Sequence, residues 1–158
     1  MAVGIRRAVV GDEGHLARLA QMAHDLHVEQ RPDQFRSSTR EDLTAWYRGQ
    51  LQTPSIAAWL AEADEHPVGY LLADAKERSA NQFVQARRWY EVDQLAVDPA
   101  WRRRGIARAL IDALLGHASE LGLTEIELTV WDFNGPARRC FESLGFGART
   151  HRLERRTP

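Results

Sequence analysis

One stretch, from Tyr90 to Gly122, leaves little freedom in what the chain can fold into. Tyr90-Glu91-Val92-Asp93-Gln94-Leu95-Ala96-Val97 reads as a β-strand ended by Asp98-Pro99. The turn Trp101-Arg102-Arg103-Arg104-Gly105-Ile106-Ala107 follows. A helix then carries Leu110, Ile111, Leu114, Leu115, Ala118 and Leu121 and stops at Gly122. A basic, glycine-bearing turn at a helix start presents backbone N–H groups that have no intrahelical acceptor, at the positive end of the helix dipole. Such a turn suits an anionic phosphate, so the chain advertises a phosphate-bearing ligand.

The rest of the chain arranges itself around this unit. Ala2 to Val10 reads as a first strand, with Asp12 as the expected N-cap of a helix over Glu13 to Val28. Arg31-Pro32-Asp33-Gln34-Phe35 breaks that pattern. Ser38 or Thr39 caps a second helix carrying Leu43, Trp46, Tyr47 and Leu51, which Pro54 closes. Ser55 to Ala63 and Val68 to Ala75 read as strands joined at Glu65-His66-Pro67. Lys76 to Arg88 is polar and reads as a loop or an extended hairpin tip. Glu125 to Trp131 is the next strand, and Gly135 to Leu144 a helix with Gly145 just past its end. Phe146 to Arg155 is expected to add a closing strand or two, and Thr157-Pro158 a free tail. This order predicts one α/β domain over residues 1–158 with a mixed sheet, antiparallel at first and parallel where helices cross over.

The turn's spacing, Arg102-x-x-Gly105-x-Ala107, resembles the pyrophosphate-binding motif of the Gcn5-related N-acetyltransferase (GNAT) superfamily. The preceding Val97-Asp98-Pro99 strengthens the match. So do Glu125-Ile126-Glu127-Leu128-Thr129-Val130-Trp131, Asn134-Gly135-Pro136-Ala137 and Phe141-Glu142-Ser143-Leu144-Gly145-Phe146. The resemblance is specific from Tyr90 onward; before that it is one of element order. It implies a mostly antiparallel sheet splayed between its fourth and fifth strands, flanked by about four helices. It also implies acetyl-CoA as donor. The backbone of Leu95, Ala96 and Val97 would pair with the pantetheine arm, and the amides of Arg104, Gly105, Ile106, Ala107 and Arg108 would cradle the pyrophosphate. Arg102, Arg103 and Arg108 would add charge there. Asn134 would contact the pantetheine arm or its loop, and Phe141 stands beside the cofactor.

Acetyl transfer to an amine requires loss of the amine's proton and polarisation of the thioester carbonyl. A backbone N–H at the splay, from Leu95 or Ala96, can serve the second need. Glu91 and Asp93 lie two apart on one strand and share a face. The resemblance implies that an acid here acts as the base, with Asp93 first and Glu91 second; a structural ion pair is the alternative. Many GNAT members carry a Tyr where this chain has Phe141, and that Tyr protonates the leaving thiolate. Its absence leaves three readings: unassisted departure, another donor such as Tyr90 or a water, or a non-catalytic acyl-CoA-binding module. Cys140 has no neighbouring His in its motif and reads as a small apolar residue rather than a nucleophile.

Resemblance to the family also puts the acceptor beside the loop His27-Val28-Glu29-Gln30-Arg31-Pro32-Asp33-Gln34-Phe35, with Trp46, Tyr47 and Trp131 as candidate walls. The acceptor is a primary amine of a small molecule or a protein. A net charge of −1, from 21 Lys+Arg and 22 Asp+Glu, argues against a nucleic-acid or anionic-membrane partner. An RNA-binding role for the arginines is the third function class. His24 and His27 lack a third ligand, so no metal is expected. One cysteine excludes an internal disulfide. No apolar run reaches a membrane span of about 20 residues, and Arg6 and Arg7 precede any long apolar stretch, so a cytoplasmic protein is expected. These features are compatible with a homodimer.

Overall fold

The computed structural model describes residues 2–158. Five strands form one sheet in the order β1-β2-β3-β4-β5. They are β1 (Val3–Arg7), β2 (Ile56–Ala63), β3 (His66–Arg78), β4 (Arg87–Val97) and β5 (Ile126–Leu128). The first four pair antiparallel and β4 pairs parallel with β5. Helices α1 (Glu13–Gln30) and α2 (Arg40–Leu51) cover one face. Helix α3 (Ile106–Glu120) covers the other, and α4 (Gly135–Ser143) joins that side through Leu144 and Phe146 just past its end.

The strands read as near-continuous apolar runs because the sheet is buried on both faces. Along β2 and β3, Ala57, Trp59, Ala61, Val68, Leu71 and Ala73 point to the α3 side, against Ile106, Leu110 and Leu114. Their alternates Ala58, Leu60, Tyr70 and Leu72 meet Leu16, Ala20 and Tyr47 from α1 and α2. Each fully buried Leu contributes about 1.5–3 kcal/mol. Gly69 lets α3 approach. A Cβ there would lie 3.1 Å from Ile106 Cγ2 and 3.2 Å from the Ala96 carbonyl, so any side chain would push the helix start away from β4.

The expected α/β class, mixed sheet and helix order are present, with local corrections. Asp12 precedes α1 but does not cap it through its side chain. Its carboxylate instead holds Arg6, at 2.9 Å, and the Val9 amide, at 2.8 Å. Thr39 does cap α2, in a reciprocal box with Asp42. The hairpin turn falls at Asp64-Glu65, both at positive φ, so His66 already lies in β3. Lys76 to Arg88 is mostly an extended hairpin, since β3 runs to Arg78 and β4 starts at Arg87. The strand placed at Glu125 to Trp131 spans only Ile126–Leu128.

No closing strand forms over Phe146 to Arg155 among the described residues. Beyond Phe146 the segment is mostly polar or charged and its Leu153 is 91% exposed, so it has no apolar face to bury. Ion pairs hold it instead: Arg149 to Glu125 and Glu127, Glu154 to Arg31, and Arg156 to Asp33.

Candidate active site

The site begins with one extra residue in β4. The β3–β4 register runs Asp74↔Glu91 and Ala73↔Val92, then Leu72↔Gln94. Asp93 has no partner and forms a β-bulge. On the other side, parallel pairing with β5 covers Tyr90↔Ile126 to Val92↔Leu128 and stops. From Asp93 to Val97, β4 therefore has one strand neighbour and a free edge.

The bulge also resets which amides face that edge. Before it, the Tyr90 N–H donates across to the Glu125 carbonyl at 3.1 Å. After it, the Asp98 N–H donates to Val68 on β3 at 2.8 Å. Alternation then turns the Ala96 and Gln94 amides toward β3, and the Leu95 and Val97 amides toward the gap. Of the two candidate oxyanion donors, only Leu95 has its N–H on the gap side.

The basic turn lies directly beyond this edge. Asp98 accepts from the Ala100 amide at 3.0 Å and starts a short 3₁₀ turn, Pro99–Trp101. Arg103 (φ 62°) and Gly105 (φ 78°) are both left-handed. Two such residues in three curl the backbone so that successive N–H groups converge. Gly105 is the N-cap of α3. The first-turn amides of Ile106, Ala107 and Arg108 have no acceptor among the described residues. Nothing lies within 4 Å of a Cβ built on Gly105. Glycine is thus favoured by backbone conformation, and the space beside it is open to an anion.

The arginines surround this cradle unevenly. Arg102 donates from Nε to the Val97 carbonyl at 3.2 Å. Arg104 lies over the Trp101 ring at 4.8 Å. Arg108 turns to the end of α4 and donates to the Ser143 carbonyl at 3.2 Å. None of these, nor Arg103, has a carboxylate partner among the described residues. Unpaired cations beside unpaired amides are the chemistry of a phosphate site.

Glu91 and Asp93 sit on the α1–α2 side of the sheet, since Tyr90 and Val92 pack toward α3. Asp74 and Lys76 of β3 share their face, joined by an ion pair at 2.5 Å. Asp93 is exposed. Partial shielding from water raises its carboxyl above the ordinary value, and Asp74 and Glu91 push it further, against Lys76. A carboxylate pushed upward is a better proton acceptor.

No tyrosine replaces the hydroxyl missing at Phe141. The chain has three. Tyr90 is buried toward α3, and Tyr47 and Tyr70 are buried between α2 and the sheet. Phe141 packs edge-on to Phe146 at 5.7 Å. Asn134 spends its side-chain oxygen on the Ala137 amide, at 3.3 Å, capping α4. Cys140 is a free, partly buried thiol.

On the acceptor side, His27 and Phe35 meet Trp131, with Arg31 over the Trp131 ring at 5.1 Å. Phe133, which sequence reasoning missed, completes the group by stacking on Trp131 at 5.9 Å. Trp46 is 44% exposed and packs on Tyr47, itself a core residue, so neither joins this cluster. Among the described residues no group of three or more His, Cys, Asp or Glu could hold a metal ion. No helix there is long and apolar enough to cross a membrane.

Similarity to known proteins extends over most of the chain. Residues 20–146 match the acetyltransferase (GNAT) family. The chain is 31% identical over 103 residues to the L-amino acid N-acetyltransferase AaaT of Escherichia coli, covering 64% of this chain and 59% of that protein. It is 30% identical over 145 residues to a mycothiol acetyltransferase of Amycolatopsis mediterranei, covering 91% and 46%. The chain thus spans about half the length of the curated relatives it matches. Among solved structures, a tetramutant of the BH1408 protein from Bacillus halodurans superposes with a TM-score of 0.90 at 27% identity, over 98% of this chain and 99% of that one. The aminoglycoside N-acetyltransferase AAC(6')-Iy in complex with CoA shares the fold, with a TM-score of 0.79 at 20% identity over 99% and 95%.

Proposed function

The chain belongs to the acetyltransferase (GNAT) family, and on that premise we propose that it moves an acetyl group from acetyl-CoA to a primary amine by direct transfer. The observation that carries this is the continuity of two unpaired surfaces. The free edge of β4 leads into the unpaired first-turn amides at Gly105. A ligand with a pyrophosphate at one end and an amide-bearing arm at the other fits both. Acetyl-CoA supplies the activated acetyl thioester.

The residues divide the work. Ile106, Ala107 and Arg108 amides hold the pyrophosphate, with Arg102, Arg103 and Arg104 adding charge. Leu95 and Val97 offer backbone groups to the arm, Ala96 lines it, and Asn134 and Phe141 shape the far wall. The Leu95 N–H stabilises the carbonyl oxygen as charge develops on it. Asp93, with Glu91 behind it, takes the proton from an amine whose ordinary pKa is about 10.4. The new bond is C–N, the bond broken is C–S, and CoA leaves as thiolate. With a thiol pKa of about 8.5, it departs without a protein acid. The acceptor class stays at the level of a primary amine, because the relatives' names include both small amines and the alanine of a ribosomal protein. A location in the cytoplasm goes with this reading.

Acetyl-CoA should raise the melting temperature by several degrees when present at about 100 times its Kd, a stabilisation of about 2.7 kcal/mol. Gly105→Glu should abolish the shift, since it forces a side chain at positive φ and puts a negative charge in the cradle. An unchanged shift in that variant would locate the ligand elsewhere. An amine panel read by release of free CoA thiol then tests turnover.

A further inference from the structure

Gln94 is the one uncharged polar side chain on the α1–α2 side of β4, and it lies between the proposed base Asp93 and the proposed oxyanion donor Leu95. Its Oε1 accepts from the Tyr70 hydroxyl at 2.7 Å and from the Tyr47 hydroxyl. The two hydroxyls are 2.8 Å apart. Both tyrosines are 1% exposed, one on α2 and one on β3. Burying three polar groups in a core of Leu, Ala and Tyr is costly unless they satisfy one another, and apolar side chains would fill the same space more simply. What the arrangement achieves is orientation. With its oxygen held inside, the amide turns Nε2 outward. Nε2 has no acceptor among the described residues, and Gln94 is only partly buried.

We infer that Gln94 is an acceptor-binding residue, whose Tyr47- and Tyr70-anchored amide donates from Nε2 to an uncharged oxygen of the amine substrate. This rests on the functional reading above and deepens it. The oxygen is uncharged because Glu91 and Asp74 flank Asp93 on this face, where Lys76 is the one cation acting on Asp93 and Arg87 is already tied to Glu125 and Glu127, so a carboxylate on the acceptor would be repelled. The substrate class is therefore an amine with a nearby hydroxyl or amide carbonyl. A free amino alcohol or sugar amine carries the first, and a peptide N-terminus carries the second. A rigid donor is selective because an analogue lacking the oxygen leaves a polar group unpaired.

The test follows the Gln94 side-chain amide by ¹⁵N–¹H NMR, its signals identified by their loss in Gln94→Met. CoA is present throughout. Ethanolamine represents the hydroxyl source, glycinamide the peptide source, and n-propylamine and glycine are controls. The Gln94 pair is expected to shift with ethanolamine, glycinamide or both, and not with the controls; which of the two acts identifies the source. Tyr47→Phe should weaken this response while keeping the acetyl-CoA melting shift. In turnover, Gln94→Met should cut the preference for the oxygen-bearing amine over n-propylamine at least tenfold, at unchanged KM for acetyl-CoA. A Gln94 pair that ignores all four amines, or moves equally with n-propylamine, overturns the inference. Loss of the acetyl-CoA melting shift in the unmodified protein would instead overturn the functional reading, whatever Gln94 does.

Discussion

The two halves of β4 have opposite characters. From Tyr90 to Val92 the strand lies between β3 and β5, with Tyr90 and Val92 buried, and just before this stretch Arg87 is tied to Glu125 and Glu127. From Asp93 to Val97 it keeps β3 but has lost β5. The first half is a finished piece of sheet; the second is an edge in the middle of a protein. Exposed edges invite association and are usually blunted. Here the edge opens onto a helix start that is also unsatisfied, so two incomplete surfaces adjoin. The change falls at one inserted residue, Asp93, which interrupts the β3 ladder and decides which amides face the gap where β5 has ended.

Proline scanning breaks the comparison most severely. Leu95→Pro removes a gap-facing N–H while sparing the bonds to β3. It should lower kcat by about 10²–10³-fold, the usual effect of losing one oxyanion donor. Ala96→Pro removes a bond to β3 and should cost stability of about 3 kcal/mol or more. Steady-state kinetics beside thermal melting separates the two outcomes. Equal loss of stability in both variants would mean the second half of β4 is not a free edge.

Asp93→Asn comes next. The carboxylate is a base only when ionised, and its raised pKa moves the acid limb of the rate profile upward from the ordinary carboxylate position. The variant should lose about 10²-fold near neutral pH, within the usual span of general-base catalysis. It should recover as rising pH supplies free amine. A uniform loss at every pH would assign Asp93 to binding or structure.

The smallest effect belongs to Phe141→Tyr. It restores a hydroxyl where none of the three tyrosines can supply one. Because a thiolate leaves readily near neutrality, the gain should stay below about tenfold, or 1.4 kcal/mol of barrier. Stopped-flow release of CoA thiol measures it, and a gain of several hundredfold would mark the natural protein as an impaired enzyme.

The cradle was legible in the sequence because its determinants are local: glycine at a left-handed position, a following helix, and cations with nothing nearby to pair. The Thr39–Asp42 cap and the apolar runs of β2 and β3 are local in the same sense. The bulge was not legible, since Asp93 is extra only relative to the register of β3. Nor was the link from Gln94 to Tyr47 and Tyr70, which spans 47 and 24 positions. Arg108 was expected at the phosphates and reaches Ser143 because α4 ends beside it. The closing strand failed for a reason already visible, as Arg149, Arg152, Glu154, Arg155 and Arg156 leave no apolar face.

Amide hydrogen exchange along β4 tests the central claim most directly. Without ligand, Leu95 and Val97 should exchange faster than Gln94 and Ala96, whose N–H groups bond to β3. With saturating acetyl-CoA, Leu95 and Val97 should become protected, together with Ile106, Ala107 and Arg108, while Val92 stays unchanged. Protection confined to the turn, or a response at Ala96 in place of Leu95, would contradict the account.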